Sequence, residues 1–390
     1  MGSEMCIRDR FWGHGVAIGV ICWNFTMPYS PTAVPLEKIL EIEEFQKVSK
    51  DMNLEMYKNI HFYMPENINN FWKKLETFCL DFKPDKLLVY QDILVLPNYN
   101  IGRLPCKKYL YLPVHDTFRP HHLVPQHIAD PEGKYTDSTF RFLPLFDKIA
   151  TMSQFGKDVL EGYRYPTTLL PHAIDSNVWT RLPPEQRLEL RRSVGIPDGC
   201  FVCLMVASNT ELSNRKAFDY NMIAFSKFSE KYPNSKLILK CNMFGAADLG
   251  SVAQTLGISD RILNVSDKIR TLDLVRLYNI SDVLLGASKS EGFGIPIVEA
   301  QMCGTPVITT NCTAMSENTY FGVCTEPKEV SAIVRFGERM HNSWSHPDID
   351  NLVAALHRIQ LGCISSTSRS FVEKYSPDLL WERWKEFLEL

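Results

Sequence analysis

The feature that most constrains this chain of 390 residues is a repeated alternation of short apolar runs with segments of helical spacing. The apolar runs are mostly continuous, which is typical of strands buried on both faces of a parallel sheet. They lie at 16–22, 60–64, 86–90, 109–114, 148–152, 201–206, 236–239, 283–285 and 306–309. Helical spacing predicts helices between them, at 36–55, 67–81, 154–163, 184–193, 216–231, 271–279 and 296–303. This order of elements predicts an α/β fold with doubly wound parallel sheets.

A proline-rich break in this pattern, at about residues 171–197, divides the chain. We therefore predict an N-terminal Rossmann-like domain over 11–178 and a C-terminal one over 179–375. Residues 326–350 are rich in Ser, His and Pro, and we expect an irregular insertion loop with one helix there. The last helix, 376–390, carries three aromatic side chains on one face and must pack on an apolar surface.

The charge balance and the cysteines exclude several classes of protein. With 42 Lys and Arg against 45 Asp and Glu, the formal charge of −3 provides no basic field for nucleic acid or an anionic membrane. The 11 cysteines are scattered and odd in number, which indicates reduced thiols in a cytoplasmic protein. Cys200 and Cys203 form a C-x-x-C at the start of a predicted strand, where redox or metal use is not expected. The apolar stretch 11–25 is too short to span a bilayer, so we expect peripheral membrane contact at most.

The most informative segment, 287–308, reads as a strand end, a glycine loop, a helix and another strand. Open α/β sheets bind ligands at the carboxyl ends of their strands. Gly292 and Gly294 allow the backbone to approach a ligand closely, and the helix that follows directs N–H groups at an anion. Glu291 precedes this helix and Glu299 lies in its first turns. Carboxylates suit sugar hydroxyls and repel phosphate, so this mixture points to a ligand containing both sugar and phosphate.

The spacing of Glu291 and Glu299, with Cys303-Gly-Thr-Pro-Val-Ile308 after them, resembles the E-x7-E signature of family 4 retaining glycosyltransferases. The similarity covers most of residues 108–310. It implies a GT-B fold, in which two Rossmann domains face a cleft and the C-terminal helix crosses back to the first domain. It also implies a nucleotide-sugar donor, UDP- or GDP-linked, from which a hexose is transferred to a hydroxyl acceptor without a metal or other cofactor.

Two basic residues are candidates for binding the donor diphosphate. Arg215 and Lys216 follow the predicted strand 201–206, and positive charge there would stabilise the leaving group. Family members commonly place a further Arg just after this strand, where the chain has Ser208 and Asn209. We expect Asn209 to contact the donor at that position. The loop 263–267, with Val265, is a candidate for offering backbone groups to the nucleobase.

By resemblance, Glu299 accepts hydrogen bonds from the nucleotide ribose and Glu291 contacts the transferred sugar. The backbone of Gly292, Phe293, Gly294 and Ile295 would lie along the sugar and phosphates.

Several histidines are weaker candidates. His115 follows the predicted strand 109–114, and the resemblance makes it a substrate contact opposite the donor, although a structural role is equally compatible with the sequence. His121, His122 and His127 are close in sequence, but prolines interrupt the run and a metal site is not expected. At the domain break, Ala173 stands after His172 where relatives often have Gly, so a turn that needs positive φ would have to differ.

The N-terminal region departs from the family pattern. Residues 1–10 match no element, and we expect them to be foreign to the fold. The first strand and glycine loop that the family usually has before the strand at 16–22 have no counterpart, which predicts a truncated N terminus.

Two other functions compete with glycosyl transfer. A sugar-nucleotide-binding protein with weak or no turnover would keep the same fold, and Asn209, Ala173 and the missing N-terminal glycine loop favour it. A dinucleotide oxidoreductase is disfavoured because no strand is followed by G-x-G-x-x-G with an acidic residue about twenty positions on. The acceptor, whether polysaccharide, lipid or protein glycan, is not determined by the sequence.

Overall fold

A computed structural model describes residues 18–21, 60–63, 75, 79–80, 83–90, 101–115, 117–118, 142–211, 213–266, 269–334, 341–364 and 371–390. The predicted leader, the helix 36–55 and most of the helix 67–81 lie outside these residues, as do His121, His122 and His127.

The first domain is built on a parallel sheet with strand order β3-β4-β6-β7. A separate parallel pair, β1 with β2, belongs to the same part of the chain. The strands are β1 (Ile18–Ile21), β2 (Ile60–Tyr63), β3 (Lys86–Tyr90), β4 (Lys107–Tyr111), β5 (Thr117–Phe118), β6 (Lys148–Thr151) and β7 (Thr167–Leu169). Helix α1 (Gln154–Gly162) begins after Ser153, whose side chain accepts a hydrogen bond from the Gly156 N–H and so caps the helix.

The second domain is built on a six-stranded parallel sheet with order β10-β9-β8-β11-β12-β13. Its strands are β8 (Phe201–Val206), β9 (Ser235–Lys240), β10 (Ile262–Val265), β11 (Val283–Leu285), β12 (Val307–Thr310) and β13 (Gly322–Thr325). Its helices are α2 (Pro184–Ser193), α3 (Phe218–Lys231), α4 (Leu249–Thr255), α5 (Thr271–Ile280), α6 (Ile295–Met302), α7 (Thr313–Asn318) and α8 (Ile349–Gln360). Short 3-10 turns lie at Ile101–Arg103, Leu143–Leu145 and Ser259–Arg261.

The continuous apolar strands are buried on both faces, as their sequences predict. In β8, Val202 and Leu204 join one apolar cluster while Cys203 and Met205 join the other. Alternate side chains of a strand point to opposite faces, so only an apolar run can fill both layers. Burial raises the pKa values of the Cys200 and Cys203 thiols, and both are free.

The prediction of an irregular loop over 326–350 was wrong. Strands β14 (Pro327–Val334) and β15 (His341–Pro347) form an antiparallel hairpin, and α8 begins after Asp348. Strand β15 also pairs with β5 of the first domain, at Asn342 with Phe118 and Ser343 with Thr117. The sequence pattern did not predict the hairpin because its residues are largely polar, and an antiparallel sheet does not need an apolar run that covers both faces. Residues 263–265, predicted as a loop, form most of strand β10.

The C-terminal helix crosses back to the first domain, as predicted. Helices α9 (Phe371–Lys374) and α10 (Pro377–Leu388) end the chain. The Trp384 ring lies 5.0 Å from Tyr111 and the Phe387 ring 5.5 Å from Tyr109, both in edge-on contact with strand β4. In the described parts of the chain, no helix is both long and apolar enough to cross a membrane.

Candidate functional site

Of the predicted site residues, Arg215, Lys216, Glu291 and the glycine loop lie together where strands β8 and β11 end. These strands are parallel neighbours, so the loops after them leave the same edge of the sheet. A small recess of about 30 Å³ lies between the loops, lined by Lys216, Ser288, Glu291, Gly294 and the ends of both strands. The sequence had predicted this edge as the ligand-binding edge.

Glu291 is the most strongly bound side chain of the site. Lys216 Nζ lies 2.6 Å from Glu291 Oε1 and 2.9 Å from Oε2, and Ser288 Oγ donates to Oε1 at 2.8 Å. Arg215 Nη1 is 3.4 Å from Oε2. Burial alone would raise the pKa of Glu291, but Lys216 and Arg215 outweigh burial and lower this pKa to about 2. The carboxylate is therefore ionised at neutral pH.

Arg215 is held by a carboxylate that sequence reasoning missed. Its Nε and Nη2 donate to the two carboxylate oxygens of Glu211 at 2.9 and 2.6 Å, and its Nη1 donates to the Ser290 carbonyl at 2.8 Å. Burial favours the neutral form of Glu211, yet Arg215, Lys216 and His115 hold its pKa below the ordinary value. The two cations of the site thus face two carboxylates, and their charges balance locally.

The backbone around these side chains is strained. Asn214 and Ala217, which flank Arg215 and Lys216, have φ of 49°, and so does Thr313. Left-handed φ is unusual for a residue with a Cβ and most unusual for a β-branched one. Thr313 Oγ1 accepts a hydrogen bond from the Glu291 N–H at 3.0 Å. The strain therefore lies on the segments that position Glu291, Arg215 and Lys216.

Gly292 brings the second domain against the first. A Cβ built on Gly292 would lie 3.4 Å from the Val114 carbonyl oxygen and 3.6 Å from the His115 Cβ. His115, half-buried after strand β4, is also near enough to Glu211 to help lower its pKa. His115 therefore faces the Arg215 side of the site from the other domain.

The rest of the glycine loop serves the domain contact and the start of α6. Phe293 is buried, with its ring 4.9 Å from His172 and 5.7 Å from Tyr375. Gly294 has φ of 82°, a conformation that glycine adopts without strain, and Ile295 begins α6. Burial lowers the pKa of His172 to about 3, so this ring is neutral. Ala173 is not among the residues of positive φ, so the turn there does not need glycine.

Glu299 lies deeper than Glu291, on α6, and is almost fully buried. The Tyr278 hydroxyl donates to Glu299 Oε2 at 2.8 Å. Burial raises the pKa of Glu299 to about 7, although the hydrogen bond from Tyr278 opposes the rise. The two carboxylates of the motif thus have opposite shifts, because one has cations beside it and the other has only a hydroxyl.

Asn209 lies after β8, and its side chain holds the loop that follows β9. Its Nδ2 donates to the carbonyls of Asn242 and Ala247, and its Oδ1 accepts from the Ala247 N–H. The loop approaches so closely that a Cβ on Gly245 would lie 1.8 Å from the Asn209 carbonyl oxygen. The side chain that we expected to contact the donor is taken up by these bonds. Val265 ends the edge strand β10, and its carbonyl accepts from the Cys241 N–H.

Glu211, Ser288, Tyr278 and Thr313 were not predicted. Ser288 and Glu211 carried a local signal, because each lies three or four residues before its partner in sequence. Tyr278 and Thr313 lie 21 and 22 residues from theirs, and only the fold brings them together. Among the described residues, no three His, Cys, Asp or Glu side chains are grouped as a metal site requires.

Comparison with known proteins bears on this geometry. Residues 186–340 match the family model for glycosyl transferases group 1. The matched segment contains Arg215, Lys216, Glu291 and Glu299. An uncharacterised glycosyltransferase of Haemophilus influenzae is 22% identical over 354 residues, which span 88% of this chain and 87% of that protein. Another of Methanocaldococcus jannaschii is 26% identical over 203 residues, 50% of this chain and 46% of that protein.

Solved structures share the fold. Anabaena Alr3699/HepE, crystallised with UDP and glucose, superimposes with a TM-score of 0.66 at 15% identity and covers 100% of this chain and 96% of its own. WaaG, a glycosyltransferase involved in lipopolysaccharide biosynthesis, has a TM-score of 0.57 at 14% identity, over 97% and 90%. The fold is GT-B, as the E-x7-E resemblance implied.

Proposed function

We propose that this protein is a retaining glycosyltransferase that moves a hexose from a UDP- or GDP-sugar to a hydroxyl acceptor without a metal ion. The observation that carries the proposal is the meeting of Arg215 and Lys216 with Glu291 and the glycine loop at the carboxyl ends of β8 and β11. The Anabaena protein of the same fold has been crystallised with UDP-glucose, which supports a nucleotide sugar as donor.

Lys216 and Arg215 would stabilise the charge that grows on the diphosphate as the glycosidic bond breaks. Both are already paired with carboxylates, and the recess beside Lys216 has room for only about one water molecule. Donor binding must therefore part Lys216 from Glu291. The exchange frees the Glu291 carboxylate to accept hydrogen bonds from the sugar hydroxyls while Lys216 turns to the phosphates.

The remaining residues of the motif would orient the donor. The backbone of Gly292 to Ile295 would lie along the sugar and phosphates, Glu299 would accept from the ribose, and Val265 would offer backbone groups to the base. His115 would contact the transferred sugar from the first domain. Asn209 receives no donor contact in this proposal, because its side chain holds the loop 242–247.

Calorimetric titration with UDP, UDP-glucose, GDP and GDP-mannose tests the proposal directly. We expect one nucleotide pair to bind, and Lys216→Met and Arg215→Met to weaken its binding at least tenfold, which is about 1.4 kcal/mol. Lys227→Met is the matched control, because Lys227 is an exposed lysine of α3 whose partner is Asp350. Absence of binding for all four ligands would sink the proposal.

A catalytically weak sugar-nucleotide-binding protein is the alternative. The position after β8 where relatives commonly carry a further Arg is occupied here by an asparagine with a structural role. Donor binding without hydrolysis or transfer, unaffected by Glu291→Ala, would favour this alternative.

A further inference from the structure

Lys289 is a buried lysine of the glycine loop that the proposed reaction does not use. The residue is 8% exposed, and within the described part of the chain no salt bridge joins its ammonium directly to a carboxylate. Burying an ammonium is unfavourable, and burial lowers the pKa of Lys289 although the carboxylate of Asp219 acts in the opposite direction. A compensating interaction is therefore required at this position.

Two aromatic rings supply that interaction. Lys289 Nζ lies 5.7 Å from the centre of the Tyr220 ring and 5.6 Å from that of Trp344, within the range of cation–π attraction. Tyr220 belongs to α3 and Trp344, which is 4% exposed, to strand β15 of the hairpin. Lys289 thus joins three separate elements of the molecule.

The backbone of Lys289 also contacts neighbouring elements through hydrogen bonds. Its N–H donates to the Arg215 carbonyl at 2.8 Å, and its carbonyl accepts from the Ser345 N–H at 3.1 Å. Beside it, the Tyr220 hydroxyl lies 3.1 Å from His346 Nδ1, and Ser331 Oγ lies 2.6 Å from His346 Nε2. The hairpin is therefore fixed to the loop that carries Glu291 and to helix α3, and the Glu291 loop is in turn fixed to the loop that carries Arg215.

The hairpin reaches the first domain at its other edge. Strand β15 pairs with Thr117 and Phe118, two residues beyond His115. A continuous set of contacts consequently leads from Lys289 through Trp344 and β15 to the segment of the first domain that contains His115.

We propose that Lys289 is a positioning residue. Its ammonium between Tyr220 and Trp344 fixes the β14–β15 hairpin against the Glu291 loop and thereby sets the first-domain segment with His115 over the donor site. The kinetic part of this role rests on the proposed function, whereas the structural part does not.

Hydrogen exchange of the backbone amides tests the structural part without a ligand. In Lys289→Met we expect the amides of residue 289 and of Ser345 to exchange about tenfold faster than in the wild type, while Lys289→Arg, which keeps the charge, restores protection. Lys227→Met, on the same helix as Tyr220, should leave both amides unchanged. Equal protection in Lys289→Met and the wild type would overturn the proposal.

UDP-glucose hydrolysis and UDP titration test the kinetic part. We expect Lys289→Met to lower kcat about tenfold and to change the Kd for UDP less than threefold, with Lys289→Arg close to the wild type. A parallel loss of UDP affinity would instead make Lys289 a direct donor ligand and overturn the positioning role. If Lys289→Met does not fold, Trp344→Leu, which removes one ring, serves instead. It is expected to lower kcat about tenfold and to change the Kd for UDP less than threefold.

The two hypotheses fail separately. If the wild type binds none of the nucleotides, the proposed function fails, and the hydrogen-exchange result still decides whether Lys289 fixes the hairpin. If the wild type hydrolyses UDP-glucose and Lys289→Met does so at the same rate, the positioning role fails alone.

Discussion

At the scale of single residues, the candidate site contains two ion pairs whose charges balance. Arg215 and Glu211 form one pair, and Lys216 and Glu291 the other. The sequence indicates cations for phosphate and carboxylates for sugar, but it contains no signal that they bind each other before a ligand arrives. This pairing keeps buried charges satisfied, and under the proposed function donor binding would be an exchange of partners.

Replacing Lys216 should show how far the stability of the protein depends on the Lys216–Glu291 ion pair. In Lys216→Met we expect the free energy of unfolding at pH 7 to fall by about 2–3 kcal/mol, because the buried carboxylate of Glu291 keeps only Arg215 and Ser288. Urea denaturation measures the change. The double variant Lys216→Met/Glu291→Gln should recover part of the loss, since no charge is then left unpaired. A single variant as stable as Lys227→Met would contradict the expectation.

The pKa of Glu299 is shifted in the opposite direction to that of Glu291, and this shift predicts how stability depends on pH. Its pKa of about 7 lies above the ordinary 4.5, so the folded state holds the proton more tightly than the unfolded state. This contribution to stability is complete below pH 4.5 and is lost as the pH rises to 7. Glu299→Gln removes the titration and keeps an acceptor for Tyr278. The free energy of unfolding of the variant, relative to that of the wild type, should therefore be roughly 2–3 kcal/mol higher at pH 8 than at pH 5.

Urea denaturation at the two pH values provides the measurement for Glu299→Gln. Glu230→Gln, which alters an exposed carboxylate on α3, is the control and should show no such gain. A difference between Glu299→Gln and the wild type that is the same at pH 5 and pH 8 would refute the raised pKa.

At the scale of elements, an apolar pattern was a good guide where both faces of an element are covered. Strands β8, β11 and β12 were found where continuous apolar runs predicted them. The hairpin of β14 and β15 was missed because its polar residues give no such run, and its partner β5 is distant in sequence. Pairing between distant edges depends on the fold and leaves little trace in either segment alone.

Helix α10 offers a test at this scale. Trp384 packs edge-on against Tyr111 of the first domain, and we expect Trp384→Ala to lower the free energy of unfolding by about 3–5 kcal/mol. Leu379→Ala, on the exposed side of the same helix, should change it by about 0.5 kcal/mol or less. Urea denaturation of both variants gives the comparison. Equal effects would mean that the helix does not anchor on the first domain.

At the scale of the whole molecule, a side chain of the second domain caps a helix of the first domain. Glu317 of α7 accepts hydrogen bonds from the N–H groups of Gln154 and Phe155, at 2.9 and 3.1 Å. These are the first residues of α1 in the first domain, whose N–H groups have no partner within the helix. A carboxylate at a helix N terminus is also favoured by the helix dipole. This contact between the domains therefore combines two directed hydrogen bonds with a favourable charge–dipole interaction.

Glu317→Ala should loosen this contact without altering the site. We expect the amides of Gln154 and Phe155 to exchange with solvent about tenfold faster, corresponding to about 1.4 kcal/mol. Hydrogen exchange resolved by residue measures it, with Glu373→Ala, at an exposed carboxylate of α9, as the control. Unchanged exchange at these two amides would show that the interdomain cap contributes nothing.

The sequence by itself determined the α/β class and the two parallel sheets, and it predicted the sheet edge at which Lys216 and Glu291 meet. Each of these depends on local periodicity, or on residues close together in the chain, and so leaves a local pattern. The tertiary structure alone decided that Lys216 pairs with Glu291, that Asn209 holds a loop and that Tyr278 faces Glu299. It also decided that the hairpin joins the first domain. These contacts join residues far apart in sequence, and burial and charge act only once the fold has brought them together.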